Sequence, residues 1–440
     1  MKKFALISLF FCCFSGFVSA QETYNLQQIL EIGLEKNYDI RIIRNEQKIA
    51  DNNTTRGNAG MLPTISASAG YSGSLSNTDQ KRTDGSEQSF DNSLSHGTNV
   101  GLNLNWTIFD GFRMQTEYAR LKTFQQMGEI QARMAIENLI ANLTAEYYNY
   151  VRQTLRLKNL KYAVSLSKER LRIVEASYTM GSMSRLDLLQ ARVDFNADSS
   201  NLIKQNEVIN TSVIVINQLM ALEDVSHNWL VGDTAIVPNI LSDQENLWQK
   251  TMESNARLLL FDKNKSLSEL DLKAVQSRNF PYLRLNAGYG YTVNLYSDNP
   301  NLSKQSNLGL NYGLTLGYNL FDGMNRRREQ KNARIVIQNK DLERQNIELS
   351  LKADLANLRM AYQNNMQLTD LETENLQVAT QNYEIAMERY RLGDLAGIEL
   401  REAQNNLLAA EERLLQAKFN TKLCEISLLQ ISGQLGVLLE

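Results

Sequence analysis

Proline, cysteine and histidine are all scarce in this chain, and each shortage excludes something. Four prolines in 440 residues, where about 5% would be ordinary, leave long stretches with no helix breaker. Three cysteines and two histidines, His96 and His227, are too few soft ligands for a zinc or copper cluster, so neither a metal nor a cofactor is expected. Cys12 and Cys13 lie in the apolar leader, and Cys424 alone cannot form an internal disulfide. No excess of basic charge marks a nucleic-acid partner: the net charge is −3, and −5 once Lys2 and Lys3 leave with the leader. The mean hydropathy of −0.36 excludes a polytopic helical membrane protein. Beyond residue 20 no run of about 18 apolar residues occurs, so any membrane crossing must be made by β-strands.

What is present begins with a leader. Lys2 and Lys3 precede an apolar run from Phe4 to Val18, and Val18, Ser19 and Ala20 form a small-residue cleavage site before Gln21. Residues 1–20 therefore read as a secretory signal peptide that sends the mature chain out of the cytoplasm.

The remainder repeats itself once. Asn37, Pro63, Gly70 and Tyr71 recur as Asn255, Pro281, Gly288 and Tyr289, displaced by 218. Phe109, Asp110, Gly111, Tyr178, Gly181 and Ala191 recur as Phe321, Asp322, Gly323, Tyr390, Gly393 and Ala403, displaced by 212. The length difference falls between Tyr71 and Phe109, so residues 76–97, rich in Ser, Asp, Asn and Gly, are expected to form a loop, matched by 294–309 in the second half. Residues 21–222 are read as one structural repeat, 223–250 as a connector and 251–440 as the second repeat, a duplicated domain.

Alternating apolar and polar residues predict strands at about 64–75, 98–109, 282–293 and 310–321, paired as two hairpins. Proline-free segments with three- and four-residue apolar spacing predict helices over about 112–180 and 324–392, roughly 100 Å each at 1.5 Å per residue. Gly181 and Gly393 end them, and second helices follow at about 184–222 and 398–434. A shorter helix is expected over 38–59. Asp110 and Asp322 stand where an N-cap is needed, Gly111 and Gly323 permit the sharp strand-to-helix turn, and Pro63 and Pro281 mark the helix-to-strand junctions. Four strands cannot close a transmembrane barrel, whose smallest single-chain examples have about eight; a dimer or a trimer would satisfy closure. Trp106, Phe109, Tyr289, Tyr291, Tyr318 and Phe321 lie where an aromatic belt would sit.

The duplicated plan, the two Phe-Asp-Gly junctions and above all the run Gly181, Ser184, Leu186, Asp187, Leu188, Leu189, Ala191 at a helix reversal resemble the TolC family of outer-membrane efflux proteins over about residues 24–434. The resemblance implies a homotrimer with a twelve-stranded β-barrel in outer-membrane lipid, continuous with a twelve-helix periplasmic α-barrel. It implies a passive exit duct for small toxic compounds, docked at the helix reversals to a periplasmic adaptor and an inner-membrane pump. The same duct could serve type I protein secretion or metal-ion efflux. A secreted coiled-coil scaffold is the alternative of another class, but it would not need hairpins. No acid, base or nucleophile set marks an enzyme.

Site residues follow from the same resemblance. Glu399 and Glu402, three apart on one helix face, match pore-lining acids; at a helix start they also suit the macrodipole as plain solvated residues. Asp187 and Tyr390 match a gate latch, although Leu395 stands where relatives place its basic member, and Gly397 and Arg401 also depart from the pattern. Gly181, Ser184, Leu186, Leu188, Gly393 and Leu395 are expected to meet the adaptor.

Overall fold

The structure is a computed structural model and describes residues 23–233, 235–238, 246–297 and 302–439. The leader, and residues 298–301 of the expected second loop, lie outside the described residues. In chain order the elements are β1 (Thr23–Tyr24), α1 (Leu26–Lys36), α2 (Tyr38–Asn53), β2 (Thr64–Lys81), β3 (Glu87–Phe109), α3 (Arg113–Thr179), α4 (Arg185–Leu219) and β4 (Leu230–Val231). There follow α5 (Leu247–Ser254), α6 (Ala256–Ser277), β5 (Tyr282–Tyr296), β6 (Lys304–Gly317), α7 (Asn325–Arg391), α8 (Gly397–Ile431) and a final 3-10 turn, Leu435–Leu439.

Two compact units result, and neither is a sequence repeat. One combines residues up to Ile43 with Ala132–Ala256 and Glu348 onward; the other combines Arg44–Gln131 with Arg257–Ile347. Each unit takes equivalent pieces from both halves.

The second unit holds one antiparallel sheet in the order β2-β3-β5-β6. Its rows separate by chemistry. Ile65, Leu104, Ala287 and Tyr312 share one row, and Ala67, Leu102, Tyr289 and Leu310 another, all on one face. The opposite face carries Ser66, Asn103, Gly288 and Asn311, then Gly70, Asn99, Thr292 and Asn307. The apolar face is open: Ile65 is 70% exposed and Tyr312 81%. Water alone would not tolerate so large an apolar patch. A period-2 alternation places every such residue on one side of the pleat.

Several strand ends differ from the sequence reading. Residues 76–97 are mostly ladder instead of loop: β2 and β3 stay paired to Lys81 and Glu87 across a bulge at Ser76/Thr78, and only residues 82–86 turn, with Gly85 at φ +83°. His96 accordingly lies in a strand, its Nδ1 2.7 Å from the Tyr71 hydroxyl. These strands alternate between polar side chains on both faces, which hides the period. The strand expected over 310–321 runs instead from Lys304 to Gly317, so Tyr318 and Phe321 lie beyond it. The helix expected over 38–59 stops at Asn53.

Asp110 and Asp322 cap their helices from outside the first turn. The N–H of Met114 donates to Asp110 Oδ1 at 3.1 Å and that of Arg326 to Asp322 Oδ2 at 3.0 Å. The chain reaches this geometry through two successive left-handed residues, Gly111 and Phe112 at +74° and +72°, Gly323 and Met324 at +71° and +63°. Pro63 and Pro281 immediately precede β2 and β5.

The first unit has a core of Ile29, Leu30, Leu143, Tyr147, Ile216 and Trp229, all at most 1% exposed. Trp229 anchors the connector: its indole N–H donates to Asn217 Oδ1 at 2.8 Å, and the Tyr150 hydroxyl donates to its carbonyl at 2.8 Å. The parallel bridge of β1 to β4 lies beside it.

Gly111 and Gly323 are equivalent in backbone conformation but not in surroundings. A Cβ at Gly111 would lie 2.1 Å from the carbonyl oxygen of Ser277; at Gly323 the nearest atom is the Asn325 amide, 3.5 Å away. Gly323→Ala should therefore cost only the backbone term, about 1 kcal/mol, whereas Gly111→Ala should cost several times more. Urea midpoints of the purified variants check the order; equal losses would contradict it.

Candidate functional site

The two reversals, α3 into α4 and α7 into α8, are built alike. At the first, Ser182 N–H donates to Ser177 O at 2.9 Å and Gly181 N–H to Tyr178 O at 3.0 Å; at the second, Asp394 N–H donates to Arg389 O and Gly393 N–H to Tyr390 O, both at 3.0 Å. These paired bonds form Schellman closures, with Gly181 at φ +79° and Gly393 at +81°. Nothing lies within 4 Å of a Cβ built at either glycine. Glycine is needed there for the backbone and not for space.

The helix starts that follow are unequal. Ser184 caps α4 and forms a reciprocal box with Asp187: Asp187 N–H donates to Ser184 Oγ at 3.2 Å, while the Ser184 N–H and hydroxyl donate to Asp187 Oδ2 at 3.1 and 2.7 Å. Those bonds hold the Asp187 carboxyl below the usual carboxylate range, the hydroxyl contributing most. In α8 the cap position is Ala396, which offers no side-chain oxygen. Glu399 occupies the place that Asp187 holds in the first repeat. It is exposed, as is Glu402 one turn on.

Asp187 and Tyr390 line one cleft of about 410 Å³, together with Arg170, Asp194, Ile398 and Arg401. Tyr390 is 4% exposed, and burial raises its hydroxyl pKa. Within the chain Asp187 engages Ser184 rather than Tyr390.

Of the side chains expected to meet an adaptor, Leu186 is open at 74% exposure, but Leu188 and Leu395 are partly buried against the core that includes Val174, Tyr383 and Leu400. Leu188 lies in the first turn of α4 and Leu395 in the turn between α7 and α8, and both side chains pack onto that core. The apolar surface actually presented at the reversals is Met180, Leu186, Leu392 and Ile398, all above 70% exposed. Sequence reasoning missed three of these, although their spacing from the buried Leu400 and Ala403 would have placed Ile398 outside.

A second feature was also missed. Asp194 and Asp198, one turn apart on α4, are buried and paired with cations from two other helices. Arg170 of α3 donates to Asp194, and Arg401 of α8 makes a bidentate pair with Asp198 at 2.7 and 2.8 Å. Gln190 donates to Asp194 at 3.1 Å and Gln404 to Asp198 at 3.5 Å. The departure at Arg401 is therefore a structural tie among α3, α4 and α8.

Comparison with known proteins bears on the family and the fold. A model of the family described as outer membrane efflux protein matches residues 29–221 and 247–434. The chain belongs to the outer membrane efflux protein family. Members are non-enzymatic outer-membrane channels whose helices extend into the periplasm. Against the outer membrane protein TolC of Vibrio cholerae serotype O1 the chain is 25% identical over 195 residues, which is 42% of each protein; it thus spans under half the length of that relative. Two solved structures share the fold over nearly all of it. The outer membrane protein VceC from Vibrio cholerae aligns with a TM-score of 0.75 at 14% identity, covering 93% of this chain and 96% of that one. The Campylobacter jejuni CmeC outer membrane channel aligns with a TM-score of 0.72 at 18% identity, covering 93% and 85%.

For this efflux-family chain the site geometry yields two expected outcomes. Asp198→Ala leaves Arg401 half-buried without its partner and should cost about 3 kcal/mol, seen as a lowered urea midpoint; a change below about 0.5 kcal/mol would contradict the tie. Because the folded-state pKa of Asp187 is depressed, its capping contribution is complete above the ordinary aspartate value of about 3.9 and is lost as pH falls through its own lower value. Ser184→Ala should remove that acid dependence, read by pepsin cleavage at the reversal as the pH falls below about 4.

Proposed function

We propose that the protein works as a homotrimeric exit duct of a tripartite export system, in which small toxic compounds pass from an inner-membrane pump and periplasmic adaptor to the outside. The observation that carries this reading is the sheet: four strands, open at the β2 and β6 edges, apolar on one face and lined with amides, hydroxyls and glycine on the other. Three copies joined edge to edge give a twelve-stranded cylinder with the apolar face toward lipid and the polar face toward a water-filled lumen. Channels of this type form trimers in efflux systems.

In this reading the reversals meet the adaptor. Met180, Leu186, Leu392 and Ile398 offer an adaptor exposed apolar contacts, on a backbone fixed by Gly181 and Gly393. Glu399, free of the cap bond that occupies Asp187, and Glu402 stand on one face of α8. Three copies would set six carboxylates at a constriction, attracting cations.

Two measurements test the proposal. In single-channel recordings, Glu399→Gln with Glu402→Gln should weaken cation selectivity and block by polyvalent cations; an unchanged reversal potential would place these carboxylates outside the passage. At the reversal, Gly181→Ala and Gly181→Trp carry a similar backbone cost, because each places a side chain at φ +79°, and the added Cβ meets no atom within 4 Å. Only the tryptophan should abolish export while leaving the protein in the membrane. If both export normally, the adaptor docks elsewhere.

A further inference from the structure

The helix starts next to the sheet break an electrostatic rule. A helix N-terminus carries partial positive charge and favours acidic residues in its first turn. Neither α3 nor α7 has an acid there. Instead α3 opens on Arg113, and α7 opens on Asn325 followed by Arg326, Arg327 and Arg328. Departures of this kind collect where a ligand compensates them.

Part of this charge is neutralised within the chain. Arg326 pairs with Asp322 at 3.2 Å and donates to the Arg278 carbonyl at 2.9 Å. Arg278 pairs with Glu329 and lies 3.9 Å from Asp322. Asp110 and Asp322 additionally accept backbone N–H bonds at the two helix starts. Arg113 and Arg284 form no ion pair among the described residues. Both are exposed, and Arg284 lies over the Tyr282 ring, its guanidinium carbon 4.7 Å from the ring centroid.

These groups share one place. Arg113, Arg278, Arg284 and Arg326 line a single cleft of about 190 Å³ with Asp110 and Tyr282. Arg284 belongs to the polar face of the sheet, in the row Thr107, Arg284, Thr315. From that row to the one holding Asn294 and Gln305, no other side chain on the polar face of the four strands is ionisable. Over these rows the face is therefore neutral except for a cation at its base, beside two helix N-termini.

We infer that this cleft is an oxyanion site, in which Arg113 and Arg284 bind a phosphate or carboxylate group. Guanidinium forks suit such planar or tetrahedral oxyanions in bidentate geometry, and the N-termini of α3 and α7, each only partly capped by Asp110 and Asp322, add to the attraction. Tyr282 holds Arg284 in place by stacking, so little side-chain freedom is lost on binding. The approach from the polar face rests on the duct reading, in which that face lines the lumen, and makes a solute moving along the duct the natural source of the group. A phospholipid headgroup carries the same chemistry.

The test is binding to the detergent-purified full chain, which does not require conduction, so a negative result would leave the duct reading standing. Inorganic pyrophosphate is titrated calorimetrically into the wild type, Arg113→Gln with Arg284→Gln, and the doubly lysine-substituted form. In parallel, each protein is placed in nanodiscs of phosphatidylcholine with phosphatidylglycerol, and retained phosphatidylglycerol is counted by mass spectrometry after delipidation. Loss of pyrophosphate affinity by about tenfold or more in the glutamine form, with partial recovery in the lysine form, supports a site for soluble oxyanions. Selective loss of phosphatidylglycerol in the glutamine form supports the same site filled by a headgroup. The single Arg284→Gln variant, which removes an exposed stacked side chain, serves if the double variant fails to fold. Equal pyrophosphate affinity and equal lipid retention in wild type and variants, or binding of neither by the wild type, overturns the inference.

Discussion

An unpaired strand edge is the constraint on which the rest of this molecule depends. The sheet β2-β3-β5-β6 satisfies its backbone through three ladders and leaves the outer N–H and C=O groups of β2 and β6 without strand partners among the described residues. In hydrocarbon each such group costs several kcal/mol, yet the apolar face of the same sheet, with Ile65, Tyr71, Leu310 and Tyr312 exposed, requires hydrocarbon. One chain cannot meet both demands. Copies joined at those edges can, and the polar face then encloses water. In the proposed trimer, assembly is thus a consequence of backbone hydrogen bonding before it is a matter of any side-chain interface.

The two halves share equivalent reversals and differ in the helix starts that follow them. Gly181 and Gly393 close their reversals with the same two hydrogen bonds. The next helix starts differ: Ser184 and Asp187 satisfy each other, while Ala396 leaves Glu399 unengaged. One acid serves as a structural cap and its counterpart makes no cap bond. The same contrast recurs at the far ends of α4 and α8, where Ala221 adopts φ +54° in a place that Gly433 fills in the second repeat.

Much of the fold was legible because its signals are periodic or categorical. Alternation in Ile65 to Tyr71 and Leu308 to Leu316, proline-free spans and glycines at reversals each have a single structural meaning. The unread parts had no such signal. Between Ser72 and Thr98 the residues on both faces are mostly polar, so period 2 vanishes and a ladder looks like a loop. The two-residue bridge of β1 to β4 is too short to carry a pattern, and the two compact units arise from long-range packing that no local window contains. At the site, glycines and the Ser184 cap could be read from local chemistry. The inward turn of Leu188 and Leu395 and the burial of Arg170 and Arg401 against Asp194 and Asp198 depend on neighbouring helices, and charged residues in sequence carry no label of which face they take.

The claim that the sheet closes only between copies is tested most directly by the mass of the assembly. Protein extracted from outer membranes in mild detergent and weighed by native mass spectrometry should give one dominant species of three mature chains, dissociating only as the strand signal in circular dichroism is lost. A dominant single chain that retains its strand content would contradict the account, because it would mean that the edges of β2 and β6 are satisfied without a partner.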